Sequence, residues 1–163
     1  MIVIADASPM SYLILLGKTD LLPRLYGRVL IPHAVSAELG SEQSPPAIQT
    51  WMAHPPNWFE VRKVHVVGFG LDKLDAGERE AISLAQELEA DLLLLDDWDA
   101  RQEALRRHLT VGGTLRVLDD AARLNLINLP DIVAQLRGTN FRIKESILQA
   151  LLARDAQRKA QKE

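Results

Sequence analysis

Carboxylates that could bind a cation follow two short apolar runs of the chain. Asp6 comes directly after residues 2–5, Ile-Val-Ile-Ala, and Asp96 and Asp97 come directly after residues 92–95, which are four leucines. In an open parallel sheet, ligands bind beyond the carboxyl ends of the strands. If both runs are strands of one such sheet, their carboxylates lie at the same edge.

Two glutamates can reach the same edge from helices. Glu38 lies about two turns into a predicted helix that follows a predicted strand, and Glu78 lies in the first turn of another helix. A helix that follows a parallel strand begins at the carboxyl end of that strand. Four separate segments therefore bring acidic side chains to one place.

Carboxylates held close together destabilise a protein unless a cation offsets their charge. Two unit charges about 4 Å apart repel by roughly 4 kcal/mol even at an effective dielectric constant near 20. The chain has no cysteine and its histidines lack ligand spacing, so only oxygen ligands are available. Oxygen ligands favour hard cations, and the sequence therefore predicts Mg²⁺ or Mn²⁺ rather than Zn²⁺.

Each acidic residue also has a purely structural explanation. Asp6 could simply end a strand, and Glu38 could be a solvated residue of a short helix. Asp75 and Glu78 are three residues apart and resemble a capping box, and Asp97 could cap the helix after it. Taken singly, these explanations are as good as metal binding. The metal site is favoured because chance would have to place all four segments at one edge.

The surrounding pattern alternates strands with helices. The predicted strands cover residues 2–5, 28–32, 58–67 (one strand or two), 92–95 and 109–111, and the predicted helices include 21–26, 34–39, 47–52, 75–88, 98–108, 114–124, 130–136 and 143–152. Ser8 before Pro9 is a typical cap for the first helix. This alternation predicts an α/β fold, a three-layer α/β/α sandwich with a central parallel sheet of four to five strands.

Length and composition limit the remaining possibilities. A chain of 163 residues with 47% hydrophobic residues suits one globular domain, and no apolar run is long enough to span a bilayer. With no membrane partner and no signal-peptide pattern, a cytoplasmic location is expected. The net charge is −3 overall. Residues 1–100 carry 7 Lys and Arg against 15 Asp and Glu, whereas residues 101–163 carry 12 against 7, which is compatible with a bound anionic polymer.

The acidic segments resemble the PIN-domain family of metal-dependent ribonucleases, which includes toxins of bacterial and archaeal toxin-antitoxin pairs of the virulence-associated protein C type. The likeness covers roughly residues 1–127. It rests on five stretches in order: Ile-Val-Ile-Ala-Asp6-Ala-Ser8-Pro, Ile-Pro-His-Ala-Val-Ser-Ala-Glu38-Leu, Leu-Asp75-Ala-Gly-Glu78-Arg-Glu-Ala-Ile-Ser-Leu-Ala, Leu-Leu-Leu-Leu-Asp96-Asp97-Trp-Asp-Ala-Arg101 and Val-Gly-Gly-Thr114.

The resemblance implies an assignment of the site. Catalytic metal ligands would be Asp6, Glu38, Glu78 and Asp96, with Asp97 as a further metal ligand. Many relatives carry Asp where this chain has Glu78, so Asp75 is an alternative third ligand. RNA phosphodiester bonds would be hydrolysed by a metal-activated water, without a protein nucleophile.

Three further residues are candidates for substrate binding, each with an alternative role. Ser8 could contact the substrate phosphate or cap the first helix, and Thr114 lies at a helix start that could receive phosphate. Arg101 could contact the RNA backbone or pair with Asp97 one turn away. Trp98 could stack on a base, but a packing role is more usual for tryptophan.

The domain prediction places a PIN-like nuclease domain at residues 1–140. Residues 141–163 would form an amphipathic helix with a frayed polar tail, either part of the same domain or an oligomer contact. Expected partners are an RNA substrate, a small antitoxin protein and a second copy of the chain in a homodimer. The competing hypothesis is a non-catalytic PIN-like protein that acts through protein or RNA contacts.

Overall fold

Five short strands form one parallel sheet. In the computed structural model, which describes residues 1–162, these strands are β1 (Val3–Ala5), β2 (Val29–Pro32), β3 (Phe59–Arg62), β4 (Leu92–Leu94) and β5 (Val111–Gly112). Their order is β3-β2-β1-β4-β5, and all four neighbouring pairs are parallel. Every residue of β1, β2 and β4 is buried, because helices cover both faces of the sheet. The predicted α/β sandwich is confirmed.

Nine helices accompany the sheet in residues 1–162. They are α1 (Ala7–Leu15), α2 (Leu21–Tyr26), α3 (His33–Leu39), α4 (Pro46–Ala53), α5 (Ala76–Glu87), α6 (Trp98–Arg106), α7 (Thr114–Arg123), α8 (Leu129–Arg137) and α9 (Glu145–Gln161). None of them is long and apolar enough to cross a membrane. The chain divides into two compact units, of which the first is Met1–Thr114 and the second starts at Leu115. The sheet, α1 to α6 and all the candidate site residues belong to the first unit.

The strand order reverses between β1 and β4. From β1 the chain proceeds to β2 and β3 on one side of the sheet, whereas β4 and β5 lie on the other side. The pairing continues past the end of β1, because the amide of Asp6 donates to the carbonyl of Leu94 at 2.9 Å. In open parallel sheets the point where the strand order reverses is the usual ligand site. Asp6 and Asp96 follow the two strands that flank this point.

Helix α5 carries an apolar face onto the sheet. Ala81, Ile82 and Ala85 are fully buried and belong to one core cluster with Ile4 and Leu93. The three α5 residues follow the helical spacing of three and four, which places them on one side of the helix. The same face continues three residues toward the helix start and brings the side chain of residue 78 to the carboxyl edge of the sheet.

Two parts of the sequence-based prediction were wrong. The β-rich stretch predicted to continue to residue 67 ends as a strand at Arg62, and Val66 and Val67 are exposed. Val64 still packs against the core, but the sequence alternation is broken after it and the strand does not continue.

The prediction of a frayed polar tail is also wrong, because α9 continues to Gln161. Asp155 in this segment is only 2% exposed and pairs with Lys159 at 2.9 Å, and Arg158 pairs with Asp119 at 2.9 Å. Charges three and four residues apart support each other on a helix surface. Only Leu148 and Leu151 of the predicted apolar stripe are buried, and Ile147 is largely exposed. The predicted boundary near residue 140 stays a prediction.

Candidate active site

Asp6 is a buried carboxylate at the end of β1. Its side chain is 6% exposed, and its Oδ1 atom has no hydrogen-bond partner among residues 1–162. The pKa of Asp6 is raised to about 7, mainly by burial; the Ala7 amide opposes the shift, and the nearby charges of Asp75, Glu38 and Asp96 contribute to it. A buried acid surrounded by other acids calls for a cation or a proton.

Glu78 is the second buried carboxylate. It is 8% exposed, and its Oε2 atom is likewise unpartnered within the described chain. The pKa of Glu78 is raised to about 9. Burial is the largest cause, and the side-chain hydrogen bond with Asp75 and the charges of Asp75, Asp97 and Asp6 also contribute. Asp75 itself caps α5, since its Oδ1 accepts a hydrogen bond from the Glu78 amide at 2.8 Å. Asp75 therefore has a structural role as a helix cap, and the buried carboxylate of the two is that of Glu78.

Gly77 lets carboxylates from two other elements approach α5. A Cβ atom at residue 77 would lie 3.2 Å from Asp6 Oδ1 and 3.2 Å from Glu38 Oε2. The two carboxylate oxygens therefore lie near one point, and the distance between them is at most twice 3.2 Å. The pKa of Glu38 is raised by partial burial and by the charge of Asp75. Helix α3, which carries Glu38, thus contributes to the same acidic pocket as β1 and α5.

Asp96 is held by three hydrogen bonds. The hydroxyl of Ser8 donates to Oδ2 at 2.8 Å, the hydroxyl of Thr114 donates to the same oxygen at 2.7 Å, and the amide of Thr114 donates to Oδ1 at 2.7 Å. The prediction of Ser8 as a helix cap was wrong, because α1 begins at Ala7 and Asp6 occupies the N-cap position. Ser8 and Thr114 instead orient a carboxylate at the end of β4.

Asp97, the N-cap of α6, and Arg101 within α6 follow this carboxylate in the chain. Asp97 caps the helix, since its Oδ2 accepts from the amide of Ala100 at 3.0 Å. The alternative in which Arg101 pairs with Asp97 is wrong, because Arg101 forms no ion pair in the part of the chain that is described. Its Nη1 atom lies 3.1 Å from the point where a Cβ would stand at Gly113, and Asp96 Oδ1 lies 2.5 Å from that point. A cation is therefore placed beside Asp96 without being paired to it.

The four acidic segments meet at one edge, as the sequence predicted. No three Asp, Glu or His side chains of residues 1–162 already converge as a complete metal site. The chemistry of the pocket nevertheless fits a hard divalent cation, because two buried carboxylate oxygens lack partners and burial, together with neighbouring acids, raises the pKa values of Asp6 and Glu78. The residues that would hold such an ion are Asp6, Glu38, Glu78 and Asp96. Their ligand roles remain predictions.

Sequence reasoning missed the two glycines that make this geometry possible. Gly77 lies in the first turn of α5, although glycine is a weaker helix former than alanine. Gly113 is buried against Leu95 and Asp96. A glycine inside a helical pattern is a usable signal for close approach, but the identity of the approaching side chain depends on the fold.

Comparison with known sequences identifies the family. The PIN-domain model DUF3368 matches residues 2–157, and PIN domains are generally nucleases that usually bind divalent metal ions. No curated protein gives a significant match. A similar solved structure is a PilT N-terminus domain protein from the hyperthermophilic archaeon Sulfolobus solfataricus P2, with 17% identity, a TM-score of 0.46 and coverage of 88% of this chain and 100% of that chain. Because the family model spans nearly the whole sequence, the chain belongs to the PIN-domain family.

Proposed function

We propose that this protein is a Mg²⁺- or Mn²⁺-dependent endoribonuclease. The observation that carries the proposal is the pair of buried, unpartnered carboxylate oxygens, Asp6 Oδ1 and Glu78 Oε2, in a pocket that Glu38 and Asp96 also border. Buried polar atoms without partners are rare in proteins and call for an explanation such as an ion. A cation-binding role explains both oxygens and the raised pKa values together.

Some side chains of such a site would hold the ion, and others would orient the carboxylates that hold it. Asp6, Glu38, Glu78 and Asp96 would hold the ion, which when bound supplies positive charge to the phosphate and acidifies a water molecule. Ser8 and Thr114 keep the Asp96 carboxylate in one orientation through three hydrogen bonds. Fixed ligands lose little conformational entropy on binding, which favours a preorganised site.

The choice of RNA as substrate and the role as a toxin are further parts of the proposal. They are supported by the resemblance of residues 1–127 to the PIN-domain toxins, together with the basic balance of residues 101–163. As a toxin, the protein would be neutralised by a small antitoxin protein and would act as a homodimer. Expression of the protein alone should then arrest growth, and a small gene adjacent to its own should relieve the arrest.

The decisive experiment is cleavage of a panel of structured RNAs with Mg²⁺ or Mn²⁺. We expect Asp6→Asn and Asp96→Asn to lower the rate by at least about 100-fold, because each removes a charged metal ligand. Asp72→Asn is a matched control, since Asp72 is exposed and is not among the acids whose charges raise the pKa of Asp6 or Glu78. Equal cleavage by the wild-type and both site variants would show that the acidic pocket is not the active site.

One observation favours a second candidate, a non-catalytic PIN-like binding protein. No complete metal site is preformed within residues 1–162. Calorimetric titration with Mn²⁺ separates the two proposals. Binding that disappears in Asp6→Asn supports the nuclease, whereas RNA or protein binding without Mn²⁺ affinity and without cleavage supports the alternative.

A further inference from the structure

Trp98 is exposed at the rim of the acidic pocket. Trp98 is 70% exposed, although it directly follows Asp97 and lies two positions after Asp96. The start of α6 lies close to the pocket, because Arg101 Nη1 and Asp96 Oδ1 both lie within 3.1 Å of the point where a Cβ would stand at Gly113. The interpretation of Trp98 as a packing anchor was therefore wrong.

The other two tryptophans show what a packing role looks like in this chain. Trp51 and Trp58 are partly buried, with ring centroids 6.0 Å apart, and Trp51 meets the ring of Phe59 edge-on at 4.9 Å. Trp98 has no such ring contact within the described residues. The apolar area of its indole is left facing water beside the pocket.

Arg101 supplies an unused cation on the same helix. Trp98 and Arg101 are three residues apart, a spacing that places side chains on one face of a helix. The Arg101 guanidinium is partly buried next to Asp96 and makes no ion pair within residues 1–162, unlike Arg106 and Arg107, which both pair with Glu103. An aromatic ring and a free guanidinium therefore stand together at the edge of the site.

We infer that Trp98 is a stacking platform for an unpaired base and that Arg101 binds the backbone phosphate next to that base. Aromatic rings beside cations are the usual way in which proteins bind single-stranded nucleic acid, because every base has a face to stack. A base inside a duplex has no free face to offer. Trp98 and Arg101 are thus positioning residues that select single-stranded segments, and this inference rests on the proposed nuclease function.

Intrinsic fluorescence tests the inference without relying on cleavage. The full chain carrying Asp6→Asn is titrated in EDTA with a ten-nucleotide single-stranded RNA and with the corresponding duplex. We expect the single strand to quench the fluorescence, Trp98→Phe to abolish the quenching while retaining binding, and Trp98→Ala to weaken binding by about tenfold. Phe69→Ala is the matched control, because Phe69 is 97% exposed in the segment between β3 and α5, and it should leave binding unchanged.

The salt dependence isolates the contribution of Arg101. Arg101→Ala should lower the slope of log affinity against log salt by about 0.7, the value for one phosphate contact on a single strand. Arg101→Lys should retain most of that slope, since it keeps the charge. Arg24→Ala is the control, because Arg24 is an exposed cation on α2 and should not alter the slope.

Three results would overturn the inference. They are equal affinity for the duplex, quenching that persists in Trp98→Phe, and no binding of the single strand at about 100 µM, the weak end of non-specific affinities. A Trp98→Ala protein that binds RNA normally but loses self-association would assign Trp98 to a protein interface instead. If Trp98-dependent binding is found without Asp6-dependent cleavage, the inference stands and the proposed nuclease fails. The reverse result leaves the nuclease standing and rejects the role of Trp98.

Discussion

Thr114 binds both carboxylate oxygens of Asp96, through its amide to Oδ1 and through its hydroxyl to Oδ2, each at 2.7 Å. The two residues belong to different segments, since Asp96 follows β4 and Thr114 begins α7. A bidentate arrangement of this kind prevents the carboxylate from rotating. Ser8 adds a third hydrogen bond from α1, so three segments determine the direction of one side chain.

Removing the Thr114 hydroxyl should impair the site more than the fold. Thr114→Val keeps the shape of the side chain and the amide hydrogen bond but removes the donor to Asp96 Oδ2. We expect Mn²⁺ affinity and RNA cleavage to fall by about 10-fold, within the range for lost partners of metal ligands. Thr110→Val serves as the control because Thr110 is exposed. An unchanged affinity for Mn²⁺ would mean that Asp96 does not bind the ion or needs no support.

Side chains introduced at Gly77 and Gly113 should obstruct the pocket to different degrees. In Gly113→Ala the new Cβ would lie 2.5 Å from Asp96 Oδ1 and 3.0 Å from the carbonyl of Leu95, whereas in Gly77→Ala it would lie 3.2 Å from Asp6 Oδ1. We therefore expect Gly113→Ala to abolish cleavage and lower stability by about 1–3 kcal/mol, as overpacking does.

Gly77→Ala should behave more mildly. Its new methyl group displaces carboxylate oxygens rather than backbone, so we expect weaker Mn²⁺ binding with a nearly unchanged melting temperature. Gly40→Ala is the comparison, because its Cβ would meet only the carbonyl of Ser36 at 3.2 Å, outside the pocket. If Gly77→Ala binds Mn²⁺ as tightly as the wild type, the ion does not lie between Asp6 and Glu38.

Most of the fold could be predicted from local patterns. The bounds of α2 were predicted to the residue, and β1, β2 and β4 were placed within one or two residues, because short apolar runs between Gly, Pro and Asp leave few alternatives. The extent of α9 could not be predicted, since Asp155 is a polar residue whose burial depends on partners elsewhere in the chain.

The site was predictable at the level of segments but not of hydrogen bonds. Strand ends and helix starts were sufficient to bring Asp6, Glu38, Glu78 and Asp96 to one edge. Ser8 was misassigned because α1 begins two residues earlier than predicted, and Ser8 is then a partner of Asp96, 88 residues away in the chain, rather than a cap. The exposure of Trp98 could not be predicted from the sequence either, because the burial of a residue depends on which other parts of the fold cover it.

The C-terminal helix can be tested for a role in self-association. Ile147 is 46% exposed on α9, next to the buried Leu148. If the exposed part of the stripe is the dimer contact, a chain that ends after Thr139 should be monomeric by light scattering. Ile147→Glu in the full chain is the milder variant, and it should have the same effect without removing the helix. A truncated chain that stays dimeric would exclude α9 as the contact.

The raised pKa values predict how stability depends on pH without metal. The pKa of Asp6 rises from its usual 3.8 to about 7, and that of Glu78 rises from 4.5 to about 9. Between the unfolded and folded pKa values, the folded protein binds protons that the unfolded chain has lost, so stability falls as pH rises. We expect the free energy of unfolding in EDTA to decrease between about pH 4 and pH 9, by several kcal/mol in all.

Asp6→Asn is the variant that checks this pH dependence. It removes the ionisable group, so the decline between pH 4 and pH 7 should become shallower, and at pH 8 the metal-free variant should be more stable than the wild type. Asp72→Asn should keep the wild-type slope, because Asp72 is not among the acids whose charges raise the pKa of Asp6 or Glu78. A wild-type stability that rises steadily from pH 4 to pH 8 would contradict the proposed burial of unpaired acids.

Added Mn²⁺ should reverse the loss of stability, and most strongly at high pH. Cation binding requires ionised carboxylates, so protons compete with it wherever Asp6 and Glu78 are protonated. At a Mn²⁺ concentration about 100 times the dissociation constant, the folded state gains roughly 2.7 kcal/mol. We expect the rise in melting temperature to be larger at pH 8 than at pH 6 and to disappear in Asp6→Asn. Because a non-specific effect of Mn²⁺ on surface charge would persist in this variant, thermal melts of the two proteins distinguish a bound ion from general screening.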